Sequence, residues 1–447
     1  MQLAGLLLAT TTLALRWWLT DPSTPFPPAT VVLVVASAAL LARPRIGTVV
    51  LGLAAATLAI AGLVVTGGPS LAGSAGGLRG VLAWLQLAGL VVALVAGTLV
   101  LVHARRGRSH LVGADRPGGP GRYLQVGLLL VLAPVCAEYL AAYADTTGDP
   151  LRLLAGLLVF IPLYGCPALL IREVVRRTGR GWVSIILLAA AFGLVQAGLV
   201  DGSLFASEDS AIDSWRETFR ATLVAPLGIS GHHTANFLSG HVVYSICAPV
   251  AIAEAVRPST ATTPWLGRTG AVVAGLLWLA ASALLLQDQR AGGEPTPSAA
   301  QLVVTVVLVA ALVVLALRRR VVPPPAGRPA APRPRRVLLL AVVLSVVYGI
   351  APETWPGVAL MLGALAVGGV GLALGSRRTG WGPRHAAAAA AGPLVVRALL
   401  AFTYEPLAGD VEPLAKLGHN LVLLVAVVTL VAVVLTRRTV LRSPGAG

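Results

Sequence analysis

Charge is what this chain has least of. Only 12% of its 447 residues are Asp, Glu, Lys or Arg, about half the share of a water-soluble domain, which argues against an ordinary soluble enzyme and against a disordered or collagen-like chain. Lysine is nearly missing: Lys416 stands alone, and arginine supplies every other one of the 34 basic positions. Cysteine is scarce as well. Cys136, Cys166 and Cys247 each fall inside an apolar stretch, with no CxxC pair and no Cys/His cluster, so a disulfide framework is disfavoured and each reads as a small core residue.

Apolar side chains fill the space that charge leaves. The AVILMFWYC set makes up 56% of the chain and the mean hydropathy is +0.83, so the chain belongs in a lipid bilayer, its principal partner. A net charge of +16 would suggest nucleic acid in a soluble protein, but here the arginines sit in short runs between apolar stretches. That distribution is an orientation signal and predicts no nucleic-acid partner. Arg over Lys, with Ala, Val, Leu and Gly dominant, reads as GC-rich coding and hence a bacterial cytoplasmic (inner) membrane.

A membrane helix needs about 20 mainly apolar residues to cross a core of about 30 Å. Such runs occur at 2–19, 29–42, 47–66, 80–103, 122–143, 152–174, 182–200, 234–256, 270–287, 300–318, 337–351, 356–375, 385–402 and 418–436. They predict an all-α polytopic transmembrane bundle of about fourteen spans. The first run has no basic residue before it and no small-residue cleavage site after it, so it reads as a span and not as a cleaved signal peptide.

Alternate connections carry the arginines. One side holds Arg43 and Arg45, then 105–122, 172–180, Arg257 and Arg268, 318–336, 377–384 and 437–442. The other side holds Asp145, Asp149, Asp201, Glu208, Asp288, Glu353, Glu405 and Glu412. Because cytoplasmic loops collect Arg and Lys, both termini are expected in the cytoplasm. The organisation divides into N-terminal helices over 1–121, a helical core over 122–256 and C-terminal helices over 257–447, the last interrupted by a Pro/Arg-rich cytoplasmic linker at 318–336.

Few ionisable residues fall inside the apolar runs, and each costs about 2.5–3.5 kcal/mol at the bilayer centre, so each calls for a partner, water or a site. Glu138, Gln196, His241, Arg397 and His419 lie toward the external side, with Asp201 at the edge of its span and Ser245 one turn below His241. Arg172, Glu173 and Glu254 lie at the cytoplasmic end. These three read as structural ion pairs, with a lock between Glu254 and the Arg172/Arg176 region as the sharper version.

The external set admits three readings. Structural pairing would join Glu138 to Arg397, and His241 to Ser245 or a backbone carbonyl. A proton, ion or solute path would run along Glu138, Arg397, Asp201 and His419. A hydrolytic centre would use Glu138 and His241 as ligands of a divalent metal such as zinc. No two histidines stand at ligand spacing on one intramembrane helix. His232 and Asn236 are four apart, but His232 belongs to the interface.

The segments PVCAEYL, YGCPALLIREVVRRTGRGW, FGLVQAGLVDGSLF and HVVYSICAPVAIAEAV make 122–256 resemble a family of uncharacterised bacterial polytopic membrane proteins. More distantly, they resemble the CPBP family of intramembrane metal-dependent proteases. The first CPBP motif is a Glu pair followed after three residues by Arg. Ala137 and Glu138 supply one Glu, with Ala142 in the Arg position; alternatively Glu173 and Arg177 supply one Glu and the Arg, with Arg172 in the other Glu position. Phe237 and His241 match the second motif, and His419 is the late membrane-edge histidine. The resemblance implies a protease-like module with Glu138, His241 and Gln196 in the catalytic positions. It also implies a Glu pair at Gln196 and Ala197, and their replacement implies a catalytically silent relative, because an amide cannot serve as a general base. The alternative from the residues is a secondary transporter or a lipid or small-solute permease with an intramembrane Glu/Arg/His relay.

Overall fold

The computed structural model describes residues 2–20, 28–42, 46–71, 77–109, 121–144, 146–208, 212, 214–291, 296–319, 329–404, 406 and 411–436. Helices dominate, because in lipid every backbone N–H and C=O must find its partner within the chain. The first four are α1 (Gln2–Thr20), α2 (Pro28–Ala42), α3 (Ile46–Leu71) and α4 (Gly77–Ser109). The central stretch holds α5 (Gly121–Pro134), α6 (Pro150–Phe160), α7 (Cys166–Arg177), α8 (Trp182–Val195), the short α9 (Trp215–Ala221), α10 (Gly231–Gly240) and α11 (Ala248–Val256). Then come α12 (Arg268–Ala291), α13 (Ala299–Arg318), α14 (Pro334–Gly349), α15 (Trp355–Gly375), α16 (Pro383–Leu400) and α17 (Pro413–Thr436). A two-stranded hairpin, β1 (Leu223–Val224) and β2 (Ile229–Ser230), pairs antiparallel in the long connection before α10.

Every apolar run read from the sequence overlaps these helices, but 122–143, 337–351 and 385–402 run past the helical ends at Tyr139, Gly349 and Leu400, the first because the chain reverses at Ala142. Among the described residues, eight rods are long and apolar enough to cross a membrane by themselves. Local chemistry sets several starts. Asp149 accepts from the N–H groups of Leu151 and Arg152 at 3.0 and 3.1 Å to cap α6, with Pro150 in its first turn. Ser298 and Gln301 cap α13 reciprocally: the Ser298 hydroxyl accepts from Gln301 N–H, and the Gln301 side chain accepts from Ser298 N–H.

Among the described residues three large apolar cores organise the bundle, beside a small cluster of Leu194, Ala197 and Leu204. One is built by α1 to α4 with Val422 of α17. A second joins Cys136 and Leu140 to α11, α16 and α17, and a third gathers α5, α7, α8 and α11 around Trp265. The outward sides stay uncovered. Leu276 of α12, Val303 of α13, Leu339 of α14 and Val370 of α15 are each more than half exposed, as expected where lipid tails are the solvent.

Four π-helical turns interrupt the central rods: Val135–Tyr139 after α5, Ile161–Gly165 between α6 and α7, Gln196–Val200 after α8 and His241–Cys247 between α10 and α11. Each is closed by a bond from an N–H to the carbonyl five residues back, as from Leu140 to Val135 and from Asp201 to Gln196. Proline accompanies three of them: Pro134 and Pro249 flank the first and fourth turns and Pro162 lies inside the second, each lacking the N–H that an ordinary helical bond to the carbonyl four residues earlier would use.

Candidate functional site

The π turns carry the polar side chains of the core. Glu138 lies on the first, Tyr164 on the second, Gln196 on the third, and His241, Tyr244 and Ser245 on the fourth. Just past the first turn Ala142 has φ +53°, in the left-handed region that residues with a Cβ seldom adopt. The reversal folds the chain back so that the Tyr143 hydroxyl donates to Glu138 Oε2 at 2.6 Å. Tyr164 and Asp201 both lie within electrostatic reach of Glu138, and Tyr143 lies within reach of Glu138, Asp201 and Arg397.

His241 is enclosed by aromatics. Its ring stacks on Tyr164 with centroids 6.1 Å apart and meets Phe192 edge-on at 5.6 Å, while Nδ1 lies 3.2 Å from the Ser245 hydroxyl. Gln196 is fully buried. Its Nε2 donates to Asp201 at 3.4 Å, and its Oε1 has no hydrogen-bond partner. Asp201 also accepts from the Ser203 hydroxyl at 2.7 Å and from Ser203 N–H at 3.0 Å. Burial outweighs these bonds and pushes its carboxyl up to about 6.

Arg397 comes in from α16. Its guanidinium lies 4.3 Å from the centre of the Tyr244 ring, and its Nε is buried without a partner. The Glu138–Arg397 ion pair expected from structural pairing does not occur; among the described residues Glu138 bonds to Tyr143 instead. His419 of α17 is held by backbone on both sides. Gly148 N–H donates to Nδ1 at 3.5 Å, and Nε2 is 2.8 Å from the Tyr139 carbonyl, which fixes the neutral ring with its proton on Nε2. Glu138, Gln196 and His241 thus have separate partners. No group of three His, Cys, Asp or Glu gathers at metal-binding distance among the described residues.

A second cluster occupies the opposite end of the central rods. Glu254 of α11 takes two guanidinium groups from α7: Arg172 Nε at 3.1 Å, and Arg176 in a two-pronged bond at 2.8 and 2.7 Å. Arg172 Nη2 donates to the carbonyls of Thr260, Ala261 and Thr263, and its plane lies 3.4 Å from the Trp265 ring centre. Glu173 accepts from the N–H groups of Trp265 and Leu266 at 2.8 and 3.2 Å and from Arg177 at 2.9 Å. Arg172, Glu173 and Glu254 are all at most 2% exposed. Both carboxylates of this knot accept from guanidinium or backbone N–H donors, and Arg172 Nη1, buried without a hydrogen bond, lies 3.7 Å from Glu173, so the knot fastens α7, α11 and the 257–266 connection.

Sequence reading missed the tyrosines and Trp265. The chain has only seven tyrosines; Tyr164 and Tyr244 lie in the middle of apolar rods, and Tyr348 lies at the end of α14. A hydroxyl at that depth needs a partner, and that was the available signal.

The fold and the two buried clusters define a multi-pass helical membrane protein. The model of an uncharacterized membrane protein family matches residues 127–352, just over half of the 447, and the protein belongs to that family. The matched stretch contains all four π turns and the whole charged knot, and ends before Arg397 and His419. No curated protein and no solved structure matches the chain.

Proposed function

We infer that the protein is a secondary carrier for a small anionic solute, with Glu138, Arg397, Asp201 and His241 along its path and His419 bracing the wall. In this reading the chain makes about fourteen spans, with both termini on the cytoplasmic side of a bacterial inner membrane. Residues 122–256 form the core of the path, and 1–121 and 257–447 supply flanking helices. The observation that carries it is that Glu138 and Arg397, both within electrostatic reach of Tyr143, take different partners and not each other. In lipid an ion pair is the least costly state for two such groups. Leaving them apart keeps a cation and a carboxylate available, the first suited to an anion and the second to its proton.

A metal-dependent protease of the CPBP type draws support from Phe237, His241 and Glu138 alone. It lacks a third ligand among the described residues. The carrier is tested in proteoliposomes with an imposed pH gradient and a panel of small carboxylic acids. Dissipation of the gradient should depend on the acid and fall to the leak of protein-free vesicles in Glu138→Gln. An unchanged rate in that variant would count against the path.

A further inference from the structure

Apart from the polar cluster, a groove of about 890 Å³ runs between α10 with its π turn, α14, α15 and α16. One end is walled by Gly231 and Trp355, where α10 and α15 begin, and the other by Arg336 and Trp381. The 21 residues of α15 rise about 1.5 Å each, so the wall is about 31 Å long and matches the thickness of a bilayer's hydrocarbon core. Midway, the hydroxyls of Ser239 and Tyr348 bond to each other at 2.6 Å. Leu340 and Leu362 on its flank are 46% and 53% exposed, so the groove opens sideways toward lipid.

The two mouths differ in charge. Arg336 is the one charged residue among the described residues that line the groove. Exposed Arg333 and Arg335 precede it, and Arg377 and Arg378 follow the end of α15. A backbone bond from Ala331 N–H to the Thr379 carbonyl at 2.8 Å ties these two basic segments together. No Asp or Glu lies between Glu294 and Glu353 or between Glu353 and Glu405, and none of these five arginines is in an ion pair among the described residues. A second copy of the chain would bring the same positive mouth and be repelled. An apolar slot whose half nearer Arg336 is about as long as one leaflet's chain, with a basic rim at that end that makes no ion pair among the described residues, fits a chain with an anionic head.

We propose that this groove holds the acyl chain of an anionic phospholipid whose phosphate rests on Arg336, as a bound ligand distinct from the solute path. The proposal stands whether or not the protein is a carrier. Delipidated protein in detergent is mixed with phosphatidylglycerol or phosphatidylcholine of equal chain length, and adducts are counted by native mass spectrometry. The wild type should retain phosphatidylglycerol in preference. Arg336→Gln should weaken that lipid about fivefold, the effect of one basic contact near a membrane surface, and weaken phosphatidylcholine less, because the choline cation already offsets that lipid's phosphate. Gly369→Trp should remove the preference, because a Cβ there meets nothing within 4 Å and the ring can enter the groove. Equal retention of the two lipids by the wild type, no effect of Arg336→Gln, or a preference that survives Gly369→Trp would each overturn the proposal. Arg336 is exposed at the start of α14, so its variant remains decisive even if the tryptophan variant fails to fold.

Discussion

Arg172 is a cation wholly enclosed by protein. Its side chain is fully buried, and its charge is met by Glu254, three carbonyls and the face of Trp265. Burying charges is costly, and a buried ion pair adds little net stability; what is expensive is removing one partner, at about 3–5 kcal/mol. Glu254→Gln leaves Arg172 and Arg176 without their shared carboxylate. Thermal unfolding in detergent should drop by an amount of that order, and a midpoint equal to wild type would show that the knot is dispensable. Glu138 poses the opposite case. It accepts from Tyr143 at 2.6 Å and leaves Arg397 unpaired with it, so one end of the molecule is locked while the other keeps its charges separate.

At the scale of elements, the π turns decide which side chains face inward. An inserted residue rotates everything after it, so Glu138, Tyr164, Gln196 and His241 are gathered by irregularity and not by the ordinary helical repeat. Pro134 releases the carbonyl of Leu130, and that oxygen packs on Gly165 in the second π turn: a Cβ there would lie 2.5 Å away. Backbone cannot step aside as a side chain can. Gly165→Ala should therefore cost about 1–3 kcal/mol through overpacking, measured as a lower unfolding midpoint; a neutral result would mean that α5 can shift. The prolines inside the apolar runs stand in the sequence as points where a helix loses a backbone donor. Which side chains they would bring together was not, because a proline fixes where a helix breaks its pattern and tertiary packing fixes how it recovers.

For the whole molecule, the apolar runs were readable because a bilayer imposes a length and forbids unpaired backbone. The pairing of Arg172 and Arg176 with Glu254 lay within reach of the sequence, since few counter-charges exist at that depth. The split between Glu138 and Arg397 did not. It depends on Ala142 turning back and on α16 aiming its guanidinium at Tyr244, neither of which leaves a mark in composition. The result is a bundle tied at its arginine end by a closed ionic knot and polar at the other, with α12 to α15 turned toward lipid.

Solute counterflow tests this account most directly. Proteoliposomes loaded with an unlabelled small acid are mixed with the labelled acid outside, with no gradient of pH or voltage. A carrier predicts transient, saturable accumulation of label that disappears in Arg397→Gln, whereas label that enters no faster than into protein-free vesicles, or equally fast in that variant, contradicts it.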